Sequence, residues 1–237
     1  ASANWLATAR HAARALPGAE GLLLDIGSTT TDLIGFRRGH VLGESRSDAH
    51  RLATGELVYH GVVRTPLCAL ARRIDWQGRP HNVMNEFFAT TADVYRLMGE
   101  LDAEHDQHPS ADNAPKDERH TRARLARMIG LDERDGSAAQ WNAFAAAWRA
   151  AQLAEWREQL QRVIALHDLR DGATLVAAGC GAFLARELLP PGWRLARYAE
   201  AVARVADDPA LRRWVQVGAP AAAVASLYAE EALRCGS

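Results

Sequence analysis

Gly21-Leu22-Leu23-Leu24-Asp25-Ile26 is an apolar run broken only by one acid near its end, and it stops abruptly at Gly27-Ser28-Thr29-Thr30-Thr31-Asp32. So short a run, without polar alternation, reads as a strand buried on both faces, and the glycine and hydroxyl residues after it read as a turn. Downstream, Leu33-Ile34-Gly35-Phe36 resumes as a strand, Arg37-Arg38-Gly39-His40 turns again, and Val41-Leu42 begins a third strand. Upstream, Asn4 to Leu16 places Trp5, Leu6, Ala9, Ala12, Ala13 and Leu16 at helical spacing and ends at Pro17-Gly18, a terminator. A second buried strand is expected over Ala173 to Ala178, where Gly179-Cys180-Gly181 opens a helix to about Leu189. Long helical spacing runs from Ala138 to Leu166, and a last apolar helix from about Ala219 to Leu233. Strands interleaved with helices make this an α/β fold.

Between these parts, from about Ser45 to Asp135, the charges are scattered and the apolar stretches short (Leu57 to Val63, Phe87 to Met98). Residues 45–135 are therefore expected to form an inserted subdomain, with 1–44 and 136–237 making the main lobe. Asp102 to Arg119 is polar enough to predict a loop that only a ligand would order. Trp141, Trp148 and Trp156 fall on one stripe of the long helix and are expected in packing.

The 237 residues are 48% hydrophobic and 24% charged, enough for a sizeable core, and the net charge is -1. No global field draws such a chain to nucleic acid or to an anionic membrane. Cys68, Cys180 and Cys235, without C-x-x-C spacing, exclude a disulfide framework and fit a reducing cytoplasm. No apolar run approaches the roughly 18 residues that span a bilayer.

A carboxylate at the end of a buried strand, followed by a small residue and a row of hydroxyls, can offer backbone N–H groups to phosphate while the acid organises a divalent cation or water. Asp25, Gly27, Ser28, Thr29, Thr30 and Thr31 supply those parts, although a tight hairpin would use the same residues. At Gly179-Cys180-Gly181-Ala182 glycine would let a flat ring or ribose lie on the backbone, or serve close strand–helix packing. Cys180 reads as a small buried residue before a nucleophile, since no base is placed beside it. His105-Asp106-Gln107-His108, with Asp102, Glu104 and Asp112 nearby, has metal-ligand spacing but equally the composition of a solvated loop.

Asp25-Ile26-Gly27-Ser28-Thr29-Thr30-Thr31-Asp32-Leu33, the later Ala178-Gly179-Cys180-Gly181-Ala182 and the strand order resemble the second half of the actin-like ATPase fold (ribonuclease H-like), shared by actin, sugar kinases and Hsp70. The first turn resembles its second phosphate motif and the glycine pair its adenosine motif, which implies ATP or another phosphate ligand. Within that superfamily the chain resembles the hydantoinase and oxoprolinase relatives. The narrower likeness is to tetrahydromethanopterin-linked one-carbon transfer pathway proteins, the family that includes methanofuran-precursor synthases. Asn4 to Ala9, Thr54 to Leu67, Glu86 to Tyr95 and Arg124 to Met128 carry it.

This resemblance implies a transferase that joins an aminomethylfuran-methyl diphosphate to a tyramine- or tyrosine-type phenol and releases diphosphate. It would use Mg2+ and small-molecule substrates. Asp25 would act with Arg64 on the phosphates, and Asp93 would carry metal, with His105 and His108 as weaker metal candidates. Arg64 could instead form a surface ion pair, and Asp93 could be a first-turn helix acid. An ATP-dependent amide hydrolase, a small-molecule kinase and a non-catalytic partner subunit are the other classes open. Family members carry a further N-terminal lobe with its own acidic turn, and only one such turn is present here. The first lobe is thus expected to be missing or incomplete, the first helix to show an unusually apolar exposed face, and the chain to pair with a separate lobe or with itself.

Overall fold

The computed structural model describes residues 4–43, 47–205 and 207–235; Ser45, an expected boundary, lies outside them. The chain forms two compact units, one from residues 1–58 and 157–237, the other from Tyr59–Trp156.

The first unit opens with helix α1 (Asn4–Ala15), followed by strands β1 (Glu20–Ile26), β2 (Thr31–Arg37) and β3 (His40–Val41). Helix α2 (Asp48–Thr54) then leads into β4 (Leu57–Val58). Ser47 caps α2 by accepting from the His50 N–H, and Gly55, at φ 87°, ends it in the left-handed conformation that glycine adopts without steric cost.

The second unit begins with the hairpin β5 (Arg73–Trp76) and β6 (Arg79–Asn82), turned at Gln77 and Gly78, both at positive φ. Helices α3 (Thr91–Leu97), α4 (Glu118–Arg127) and α5 (Ala138–Leu166) follow. The bounds of α5 are those that the apolar spacing predicts. Its residues up to Trp156 belong to this unit, and Trp141, Trp148 and Trp156 are all fully buried. Trp76 stacks on Trp141 at 4.2 Å between ring centroids, and Phe144 meets both edge-on. The polar stretch from Asp102 onward is tied down by its own ion pairs. Asp106 takes Arg96 at 2.6 Å and Lys116 at 2.8 Å, while Asp112 takes Arg124 and Arg127. The polarity of that segment goes into these ion pairs.

The chain returns to the first unit through β7 (Thr174–Ala178), α6 (Ala185–Leu188), β8 (Arg194–Arg197), α7 (Pro209–Val217) and α8 (Ala219–Cys235). The expected helix after Gly181 is broken, a 3-10 turn over Ala182–Leu184 preceding the short α6. Its strands form one sheet in the order β3-β2-β1-β7-β8, with β4 added beside β2. β1 runs antiparallel to β2 and parallel to β7, which is parallel to β8. β1 is central and buried from Gly21 to Ile26, which is why it carries no polar alternation.

Leu23, Ile34, Phe36, Val176 and Ala178 from one face of the sheet pack with Ala9, Ala12 and Ala13 of α1 and with Ala219 and Ala223 of α8. The apolar side of α1 is thereby covered, and its exposed residues are Asn4, Arg10 and Arg14. This corrects the expectation of an apolar exposed face: small alanines let α8 approach closely, a partner that the local helix pattern does not reveal. Among the described residues, no helix is long and apolar enough to cross a membrane.

Candidate functional site

The β1–β2 register places Asp25 directly opposite Asp32, with Gly27 to Thr30 as the connecting loop. The Gly27 N–H donates to the Thr30 carbonyl at 2.9 Å, closing that loop, and Thr31 is fully buried at its far end. Two carboxylates thus share one face of a hairpin inside the first unit. Burial, with Asp32 as the second cause, pushes the Asp25 pKa up to about 7. Asp32 is also raised by burial, but Arg51 opposes the shift by donating from Nη2 to Asp32 Oδ1. The guanidinium of Arg51 lies 4.1 Å from the ring centroid of Trp5, an arrangement that holds it in a buried position. Behind this pair, His167 Nε2 and Glu56 Oε1 are 2.9 Å apart. Burial alone would raise Glu56, yet hydrogen bonds from His167 and Thr54 outweigh it and hold the carboxyl below its ordinary range.

The glycine loop after β7 lies against the same strand end. The Gly181 N–H donates to the Ile26 carbonyl at 2.8 Å, and the Gly179 N–H donates to the Gln216 carbonyl at 2.8 Å. Gly179 sits at φ 85°, and a Cβ there would run into the Ile26 carbonyl and the Asp25 carboxylate. Its glycine is therefore required by close approach, and both N–H groups are spent within the protein. Asp25, Gly27 to Thr31 and the Gly179 to Ala182 loop thus come together at the carboxyl ends of two neighbouring parallel strands, where open α/β sheets bind ligands. Cys180 beside them has its thiol pushed up to about 11, mainly by burial and then by Asp25, so it stays protonated and is no nucleophile at neutral pH.

Arg64, Asp93, His105 and His108 belong to the second unit. There, Arg64, Asp93 and His108 line one cavity of ≈ 400 Å3 together with Val63, Phe87 and Arg96. His105 closes the 3-10 turn Ala103–His105 and does not line it. Asp93 is 1% exposed and is the third helical residue after the cap Thr90, whose N–H it accepts at 3.0 Å through Oδ2. Its Oδ1 accepts from Arg96 and from the fully buried Arg124, each at 2.8 Å. Among the described residues no group of three or more His, Cys, Asp or Glu side chains is arranged to hold a metal.

The model of the hydantoinase/oxoprolinase family matches residues 1–190, which include both glycine loops and the whole second unit. The chain belongs to the hydantoinase/oxoprolinase family. Within 131 residues, this family member is 37% identical to the (4-{4-[2-(gamma-L-glutamylamino)ethyl]phenoxymethyl}furan-2-yl)methanamine synthase of Methanocaldococcus jannaschii, over 55% of this chain and 39% of that protein. A synthase of the same name from Methanococcus vannielii is 32% identical over 111 residues, 47% of this chain and 50% of that protein. The matches thus span half or less of the length of these curated relatives.

The sequence reading missed Asp32 and Arg51 at the first-unit turn and Phe87 at the second-unit cavity. For Asp32 a signal existed: with a four-residue loop, seven residues of separation place it opposite Asp25 on the same face.

Proposed function

We propose that this hydantoinase/oxoprolinase family member is a transferase of methanofuran-type cofactor synthesis. The reaction joins a furan-methyl diphosphate to a tyramine-type phenol and releases diphosphate. The names of the two methanogen relatives support the reading, since a phenoxymethylfuran is the ether such a condensation makes. The strand order with its antiparallel β2 supports an actin-like ATPase lobe as the scaffold.

The observation that carries the phosphate part is the facing pair of buried Asp25 and half-buried Asp32, of which, among the described residues, only Asp32 has an arginine. A carboxyl raised to about 7 by burial gains most from a cation at its side, so the pair fits Mg2+. Asp25 would hold that ion and Ser28 to Thr30 would orient phosphate oxygens, Thr31 being fully buried in the strand; the ion, when bound, balances phosphate charge. Magnesium takes one or two carboxylates and leaves its remaining positions to water and phosphate, so a cluster of three side chains is not required. Asp93, saturated by Arg96, Arg124 and the Thr90 N–H, serves as the anchor that fixes α3 and Arg96 at the wall of the second-unit cavity.

Independently of the Asp25 turn, Arg64 at that second-unit cavity supplies positive charge to a leaving diphosphate. Pyrophosphate release from a furan-methyl diphosphate and tyramine, set against ATP hydrolysis by the same protein, tests the reading. Turnover of ATP without ether formation would favour the amide hydrolase or kinase class instead.

A further inference from the structure

Resting on the transferase reading, we propose that the second-unit cavity seats the phenolic acceptor and that His108 takes its proton. The cavity, at ≈ 400 Å3, is of the size that encloses small aromatic ligands. Val63 and Ala92, 2% and 4% exposed, give it an apolar floor, while Phe87 leaves 55% of its surface open beside it. An aromatic side chain so exposed at a cavity wall offers a face for another ring to stack on.

The proton acceptor follows by elimination among the titratable groups that line this cavity. Both oxygens of Asp93 are taken, as described above. Asp106 is likewise saturated, through Oδ1 by Lys116 and through Oδ2 by Arg96. A guanidinium has only donors, so Arg64 and Arg96 have no lone pair for a proton. His108 is exposed, lines the same cavity and enters no ion pair or hydrogen bond among the described residues. Its imidazole is the group there with a lone pair to give. In the reaction the bond between the furan-methyl carbon and the diphosphate oxygen breaks, and its electron pair leaves with the diphosphate toward Arg64. The phenolic oxygen forms the new bond to that carbon, and its proton passes to His108. This reassigns His108 from a metal ligand to a general base.

Two measurements on the whole chain test the proposal. Saturation-transfer NMR with tyramine as the probe compares wild type with Phe87→Ala, and pyrophosphate release compares wild type with His108→Ala. Both side chains are exposed, and circular dichroism checks that each variant stays folded. The tyramine ring signal should fall at least about fivefold in Phe87→Ala, since the stacking face is lost. His108→Ala should lower kcat by about 100-fold or more with the phenol KM changed by less than about threefold, and added imidazole should restore turnover. An undiminished tyramine signal in Phe87→Ala overturns the seat. A wild-type kcat in His108→Ala, or a loss that imidazole does not restore, overturns the base. If the wild-type chain releases no pyrophosphate, the transferase reading fails and the base falls with it, while the tyramine comparison still decides the seat.

Discussion

Asp25 and Asp32 stand directly across the β1–β2 hairpin from each other, and among the described residues only Asp32 is paired with an arginine, Arg51. The buried site therefore holds more negative charge than it neutralises, and at low pH a proton on Asp25 relieves it. On the function proposed above, a bound cation would offset that imbalance.

The sign of the pH effect follows from that pair. The folded-state pKa of Asp25, about 7, lies above its ordinary 3.8, so the folded protein binds the proton more tightly than the unfolded chain. Its contribution to stability is fully present below about pH 4 and is lost as pH rises through about 7. Asp25→Asn should remove this loss, giving a higher Tm than wild type at pH 8, with a gain on the order of 4 kcal/mol at most. Mg2+ should raise the wild-type Tm at pH 8 more than at pH 5 and leave Asp25→Asn nearly unmoved. Thermal melts at the two pH values check both.

Gly179→Ala tests whether close approach is what holds the glycine loop to β1. A Cβ there meets the Ile26 carbonyl and the Asp25 carboxylate, at a backbone φ of 85°. We expect a loss of about 2 kcal/mol or more in denaturant unfolding, from strain and overpacking together. A variant as stable as wild type would mean that the loop can shift away from Asp25.

Asp93→Ala separates an anchor from a metal ligand. Arg124 is fully buried and would be left without its 2.8 Å partner. Arg124 keeps Asp112 at 3.2 Å, so the loss should be about 1–3 kcal/mol for the broken buried hydrogen bond, whether or not Mg2+ is present. A folded Asp93→Ala chain of wild-type stability that has lost only its metal dependence would return Asp93 to the metal.

Arg64→Ala should leave the unfolding midpoint within error, because Arg64 is exposed. In the pyrophosphate assay it should lose about 2–4 kcal/mol of transition-state stabilisation, read as a fall in kcat/KM.

The sheet core was legible because burial on both faces leaves a mark in composition: between Gly21 and Ile26 β1 carries one acid, and β7 only Thr174 as a polar residue. Long helices with full apolar stripes, α1 and α5, were equally plain. β8, Arg-Leu-Ala-Arg, escaped because a four-residue edge strand carries little apolar pattern, whereas α7 is short but clearly amphipathic and was simply passed over. At the site, the turn residues announced themselves through strand-to-glycine transitions. Arg51, Glu56 and His167 did not, since they meet only through tertiary packing between segments up to 111 residues apart. Asp93 illustrates the converse: a threonine three residues ahead was a capping signal, and the capping box is what the structure builds.

The most direct test of the transferase account is a single assay in which the chain is given a furan-methyl diphosphate, tyramine and Mg2+. Pyrophosphate and the phenoxymethylfuran ether are measured together, with ATP hydrolysis followed in parallel. The account predicts ether and pyrophosphate in equal amounts, without any need for ATP. Phosphate release from ATP with neither ether nor pyrophosphate formed would contradict it.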